Sequence, residues 1–281
     1  QLHHQTNHEM EGALMKKNRF ASILIILIII YLLVPLIATA IYSMFQRWTG
    51  ILPEGFTLNH YISLLSAKPF LLSLARTVLV CIIPIVLTVF LTLLALFAVT
   101  IYFPRFEKYV QILSMIPYTI QGVILSVSIL GLYAGVKGFL GLRLVMLIGA
   151  YCIIILPYVY QGIRNSMQAV NMPMLIEAAE MLGASKLHAF FKVIVPNIIS
   201  GITVSSLLSV GIIFGDYVLI RNITGSSFQN VQIFLFLAMK RSSTEASAVF
   251  VIIMLATFLI AALVLYLQSR DNRLKLENEG R

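Results

Sequence analysis

The stretch TVLVCIIPIVLTVFLTLLALFAVTIYF, Thr77–Phe103, contains no charged residue. A helix rises ~1.5 Å per residue and the hydrocarbon core of a bilayer is ~30 Å thick, so about 20 apolar residues cross it. In lipid every backbone N–H and C=O must be satisfied internally, which leaves helices and closed barrels. Barrel strands alternate apolar and polar residues, and this run does not alternate. It reads as a transmembrane helix.

Working outward, five more uncharged runs of similar length follow the same logic: Phe20–Phe45, Tyr109–Val136, Leu144–Ile163, Val193–Gly215 and Ala246–Ser269. A shorter run, Phe228–Met239, is too short to cross and reads as a re-entrant or interfacial helix before the last span. The whole chain agrees: 59% of its 281 residues are hydrophobic and 11% charged, where a soluble domain carries about 25% charged. The expected fold class is an all-α integral membrane protein with six transmembrane helices.

The charges set an orientation. With both termini in the cytoplasm, the inner segments hold Lys16, Lys17, Arg19, Arg105, Lys108, Arg164, Lys186, Lys192, Arg270, Arg273, Lys275 and Arg281. The outer segments hold Arg47, Lys68, Arg76, Lys137, Arg143, Arg221, Lys240 and Arg241. That is 12 inside against 8 outside, in the sense of the positive-inside rule. The net charge of +9 therefore belongs to segments flanking spans and does not call for nucleic acid. The organisation expected is a cytoplasmic tail 1–19, a first span 20–45, an extracytoplasmic loop 46–73, a core 74–269 with an inner loop 164–196, and a cytoplasmic tail 270–281. Met10 or Met15 reads as a native start, which leaves His3, His4 and His8 without weight as metal ligands. Cys81 and Cys152 lie inside apolar runs and read as small buried hydrophobes.

The inner loop is the specific part. Residues 171–197 read NMPMLIEAAEMLGASKLHAFFKVIVPN. Asn171 with Pro173 opens a helix, Asn as a cap for an orphan amide and Pro in the first turn. Leu175, Ala178, Ala179 and Leu182 share one face by spacing. Gly183 stands where a helix end needs a left-handed residue, Ser185 caps a second helix, and Pro196 marks entry to the fifth span. The segment is a helix, a break and a second helix.

This segment resembles the EAA loop of binding-protein-dependent ABC importer permeases: Glu-Ala-Ala, three residues, Gly, nine residues, then Ile-x-Leu-Pro. Glu177, Ala178, Ala179, Gly183 and Pro196 match, with Val193 and Val195 in place of Ile and Leu. Thr57-Leu58-Asn59-His60-Tyr61 is similar to a Thr-Leu-x-x-Tyr stretch preceding the second span in these permeases. The resemblance covers roughly Arg76 to Ser269 and is greatest to the spermidine/putrescine, iron(III) and phosphonate branch, with sugar-type permeases next. It implies a coupling helix around Gly183, Ala184, Ser185 and Lys186, seated on a separate ATPase dimer that holds the ATP and Mg. It also implies a second permease subunit, identical or homologous, and an extracytoplasmic binding protein touching Gln46–Ser73 and Arg221–Glu245. No G-x-x-x-x-G-K-[S/T] motif occurs in the chain, so this subunit is expected to be non-catalytic; the resemblance also implies a bacterial inner-membrane location.

Polar groups inside spans are costly and become candidates for a substrate path. They are Asp216 at the end of the fifth run, with Ser205 and Ser209 on its helical face. The third run adds Ser114, Thr119, Gln121, Ser126 and Ser128, and the fourth Tyr151, Tyr158, Tyr160 and Gln161. The alternative for the serines is helix packing with bonds to preceding carbonyls, and for Asp216 a pairing with Arg221, Lys240 or Arg241. An ion-coupled secondary transporter is the rival function. It would call for inverted repeats and several ionisable groups at the midplane, and the sequence displays neither.

Overall fold

The computed structural model describes residues 2–48, 53–120, 122–132, 140–225 and 227–279; of these, the side chains of 2–21, 267 and 270–279 are not described. Gln121, Lys137 and the expected end of the third span at Val136 fall outside the described residues. So do the side chains of Lys16, Lys17, Arg19, Arg270, Arg273 and Lys275, and all of Arg281.

The described residues are almost entirely helical. In order they form α1 (Leu2–Tyr42), a two-stranded antiparallel hairpin of β1 (Phe45–Arg47) and β2 (Glu54–Phe56), α2 (Asn59–Ser66), α3 (Lys68–Ile101), α4 (Glu107–Met115) and α5 (Gly122–Leu132). There follow α6 (Leu140–Ala169), α7 (Met172–Met181), α8 (Lys186–Ala189), α9 (Val195–Asn197), α10 (Ile199–Gly215), α11 (Val218–Thr224), α12 (Val231–Met239) and α13 (Ser243–Glu279). Among them four helices are long and apolar enough to cross a membrane, at Ser22–Tyr42, Lys68–Ile101, Leu140–Ala169 and Ser243–Tyr266. The count reaches six when two bent helix pairs are each taken as one span.

Those two pairs are where continuous helices were expected. The third run breaks at Ile116–Thr119, a 3-10 turn carrying Pro117, and bends by 97° into α5. Proline removes an N–H and crowds the preceding turn, and Gly122 starts the next helix. The fifth run bends by 67° at Ile198, between Lys186–Asn197 and α10. The ends differ too. The first span stops at Tyr42, because Ser43 and Met44 turn and Phe45 begins a strand. α3 begins at Lys68, with Pro69 in its first turn, rather than at Thr77. The hairpin and α11 carry no strong periodicity in sequence and were not expected; α12 agrees with the short run Phe228–Met239.

The chain packs as two units, 1–64 with 238–252, and 65–237 with 253–281. In the second, α6 lies against both α3 and α10. Its contact with α10 is set by small residues: a Cβ on Gly162 would lie 2.6 Å from Ser205 Cβ, and one on Gly201 would lie 1.8 Å from Ser166 Oγ. Only glycine at both positions lets the backbones come this close, a small-residue crossing of the kind membrane helices use in place of a hydrophobic drive. In the same unit α12 is pinned beside α3: Val231 N donates to Thr77 Oγ1 at 2.9 Å, and Phe70 meets Phe234 edge-on at 5.2 Å.

Candidate functional site

Asn171 enters α7 with φ 49° and ψ 60°. Its side chain makes no capping bond; Nδ2 turns instead toward Met174 Sδ at 3.9 Å. The expected amide cap is therefore absent, because a left-handed residue aims its side chain away from the first turn. The buried face of α7 is Met172 and Ile176, with Leu175 and Ala179 half-buried. Ala178 and Leu182, expected on a shared apolar face, are exposed. The contiguous apolar residues 174–176 fit two stripes, and packing selected the one through Ile176.

The end of α7 follows the sequence closely. Gly183 adopts φ +86°. Gly183 N donates to Glu180 O at 2.9 Å and Ala184 N to Ala179 O at 3.0 Å. This is the Schellman pattern, which satisfies the last carbonyls of a helix. Ser185 is extended and its Oγ accepts from His188 N at 3.3 Å, starting α8. Lys186 reaches back to Glu180 Oε1 at 3.8 Å and lies 5.9 Å over the Tyr102 ring at the end of α3.

From Phe190 to Ile194 the chain forms a π turn, closed by Val195 N donating to Phe190 O. Pro196 follows, with no N–H to give to Lys192 O, and a widened turn relieves that mismatch. Phe190 is fully buried and its ring meets Phe97 of α3 at 4.7 Å. Opposite this anchored side, Met181 and Leu182 are 89% and 90% exposed. Glu177, Gly183, Ser185 and Pro196 are exposed with them; Ala179, Ala184 and Lys186 are half-buried. The loop thus has a buried side fixed to α3 and an open side of apolar and small residues beside one carboxylate.

The candidate path residues separate into groups. Ser205 and Ser209 are buried, and their hydroxyls donate to Gly201 O and Ser205 O, both at 2.8 Å. Ser205 faces Gly162 in the α6–α10 crossing. Asp216 is half-buried: Oδ2 accepts from Tyr151 Oη at 2.9 Å and from Ile220 N at 3.3 Å, and Oδ1 from Leu219 N at 3.4 Å. It thereby caps α11 and ties it to α6. Ser126 Oγ accepts from Asn222 Nδ2 at 2.8 Å, joining α5 to α11. Tyr158 meets Tyr118 edge-on at 4.9 Å.

Between α3, α4 and α6 lies a cavity of about 310 Å³ whose lining includes Thr88, Thr92, Ser114, Cys152, Leu156 and Tyr160. Thr88 Oγ1, Thr92 Oγ1 and Tyr160 Oη are buried without a hydrogen-bonding protein partner. At the α4–α6 end nearest Tyr160, Arg164 Nη2 pairs with Glu107 Oε1 at 2.8 Å. Sequence reasoning missed Asn222, Thr88, Thr92 and the Arg164–Glu107 pair. Thr88 and Thr92 did carry a signal, an i, i+4 polar pair in an otherwise apolar run. Among the described residues no cluster of His, Cys, Asp and Glu is arranged to hold a metal ion.

No family model matches the chain. It is 25% identical over 191 residues to a Salmonella typhi protein named as the 2-aminoethylphosphonate transport system permease PhnV, covering 66% of this chain and 72% of that one. It is 26% identical over 242 residues to the spermidine/putrescine transport system permease protein PotC of Haemophilus influenzae, covering 86% and 93%. Its fold is similar to a chain of a bacterial ABC transporter involved in import of the acidic polysaccharide alginate, with TM-score 0.66 at 15% identity over 91% of this chain and 96% of that one. A second alginate transporter structure, in complex with an alginate-bound periplasmic protein, gives 0.64 at 16% over 88% and 91%. In sequence this chain is thus similar to permease proteins of solute transport systems and in fold to a chain of ABC transporters, and its long apolar helices fit a multi-pass membrane protein.

Proposed function

We propose that the chain forms half of the translocation pathway of an ATP-driven importer and is driven by a separate ATPase dimer through residues 171–197. The observation that carries this reading is the open face of the loop. Two large apolar side chains, Met181 and Leu182, stand nine-tenths exposed beside a Schellman turn, where a water-facing end of a membrane protein gains nothing from them. Exposed apolar groups rimmed by polar ones mark protein interfaces. Glu177 supplies a carboxylate for a basic or amide partner, and Gly183 allows close backbone approach. On this reading the loop is cytoplasmic, which the charge asymmetry supports, and so are both termini.

Closure of the ATPase dimer on ATP and Mg would press on this face. The buried side passes the displacement to α3 through Phe190 and Phe97, and to α10 across the bend at Ile198. A second permease, identical or homologous, completes the pathway, and an extracytoplasmic binding protein delivers cargo to the opposite side. The alginate transporter solved with its periplasmic protein supports that arrangement.

The cargo we propose is a small polar or charged solute of polyamine, phosphonate or iron(III) type, supported by the names of the sequence relatives. The neutral cavity, with three of its four hydroxyls unpartnered, is the part of the chain most suited to contact it. A sugar-type cargo is the second reading, favoured by that uncharged lining. Co-purification tests the coupling claim: the native chain should carry an ATPase through detergent extraction, and Gly183→Pro or Glu177→Ala should weaken that association. Full ATPase binding and transport in Gly183→Pro would refute it. Cargo is read from competition between a polyamine, an alkylphosphonate and an oligosaccharide in uptake by membrane vesicles.

A further inference from the structure

Helix α2 has three faces. Tyr61 and Leu64 turn inward: Leu64 is 3% exposed, and Tyr61 Oη hydrogen-bonds Ser43 Oγ at the end of α1. Asn59, Ser63 and Ser66, spaced i, i+4, i+7, form an exposed polar stripe. Leu58, Ile62 and Leu65 form an exposed apolar stripe one residue over, at 47%, 63% and 52%. In the first unit the neighbouring hairpin adds Phe56 at 68%. A helix between protein and water needs two faces; a third, apolar face needs a third medium.

The chain fixes the height of this helix. α1 is long and apolar enough to cross a membrane up to Tyr42, and α3, likewise long and apolar enough, begins at Lys68, two residues along the chain after α2 ends. His60 Nε2 lies 3.3 Å from Phe45 O, holding α2 to the hairpin. The hairpin carries an aromatic cluster at the end of the first span: Trp48 stacks on Tyr42 at 5.3 Å and meets Phe45 edge-on at 5.6 Å. Trp and Tyr concentrate at the level of lipid headgroups, and Arg47 and Lys68 flank the element as cations suited to phosphate.

We infer that residues 42–66 form an interfacial module in which α2 lies on the bilayer surface, with Leu58, Ile62 and Leu65 turned into the lipid. Such helices sink their apolar face about 5–10 Å into the headgroup and acyl boundary. The module fixes the depth of the first span, and it occupies part of the outer loop in which the sequence suggested a contact for the binding protein. It rests on Ser22–Tyr42 crossing the membrane and is independent of the coupling role of residues 171–197, so either can fail alone.

Trp48 is the sole tryptophan of the chain, so the native protein reports on itself. In nanodiscs of phosphatidylcholine brominated near the head of the acyl chain, most Trp48 emission should be lost. Deep bromination should quench less, and aqueous iodide little. Iodide quenching with no effect of brominated lipid overturns the inference. A nitroxide at Ile62→Cys should collide with oxygen rather than with an aqueous nickel chelate; the reverse also overturns it and leaves a protein partner as the cover. Ile62→Asp with Leu65→Asp should reduce the brominated-lipid quenching, and unchanged quenching in a folded variant counts against the inference. The native measurement stands if that variant does not fold.

Discussion

Phe97 of α3 and Phe190 of the π turn lie with ring centroids 4.7 Å apart, both rings buried. They join the segment that meets the ATPase, on our reading, to a span that lines the cavity. Phe190→Ala should destabilise the chain by about 3–5 kcal/mol, the usual cost of emptying an aromatic core position. Phe190→Leu should cost less and leave a looser joint. In proteoliposomes carrying the full transporter, we expect Phe190→Leu to keep ATPase association and lower the cargo moved per ATP. An unchanged ratio would assign the pair to packing alone.

Gly201 faces Ser166 with no room for a methyl group. Gly201→Ala should cost about 1–3 kcal/mol through forced separation of α6 and α10. Ser166→Gly should recover part of this, because the remaining near contact is Gly162 O at 2.9 Å. Thermal unfolding in detergent of the single and double variants checks the sign and the coupling.

Asp216 ties Tyr151 to the first amides of α11. Asp216→Ala leaves the buried Tyr151 hydroxyl without this acceptor, at about 1–3 kcal/mol, and frees the start of α11. Asp216→Asn keeps an acceptor oxygen and should lose less. Hydrogen exchange at Leu219 and Ile220 should rise in the Ala variant and hardly move in Asn. If cargo affinity falls in both while exchange is unchanged, Asp216 acts on cargo rather than on α11.

Arg164 and Glu107 pair at 2.8 Å with side chains 22% and 38% exposed. At that exposure a double-mutant cycle should give about 0.2–1 kcal/mol, shrinking as salt rises. A coupling that grows with salt would contradict the contact.

Gly183 holds φ +86°. Gly183→Ala has open space around its methyl group, so its cost is conformational alone, about 1–2 kcal/mol. Circular dichroism should show unfolding at lower temperature with an unaltered helix content.

Four of the expected spans were legible because length and lack of charge decide them, and the end of α7 was legible because a left-handed glycine and a capping serine act within a few residues. What stayed hidden depends on neighbours far along the chain. Asn222 finds Ser126 across 96 positions, and nothing in VLIRNIT announces it. Ser205 carries both a path and a packing reading in sequence, and its close approach to Gly162 depends on α6, a helix far back along the chain. The α7 stripe could not be phased, since residues 174–176 are apolar throughout. The breaks at Ile116–Thr119 and Ile198 were marked by Pro117 and Pro196, but proline within a span also occurs in unbroken α3 and α6, at Pro84 and Pro157. Sequence alone does not separate a tolerated proline from a hinge.

The π turn at Phe190–Ile194 has a consequence for spacing. A π turn absorbs one residue more than an α turn while the flanking helical faces keep their phase. The interval between Gly183 and Pro196 is therefore longer by one residue than helical geometry demands. Deleting one residue there should close the turn to ordinary α pitch while the flanking helical faces keep their phase. If residues 171–197 couple to an ATPase as proposed, that extra residue is slack held where the loop enters the fifth run.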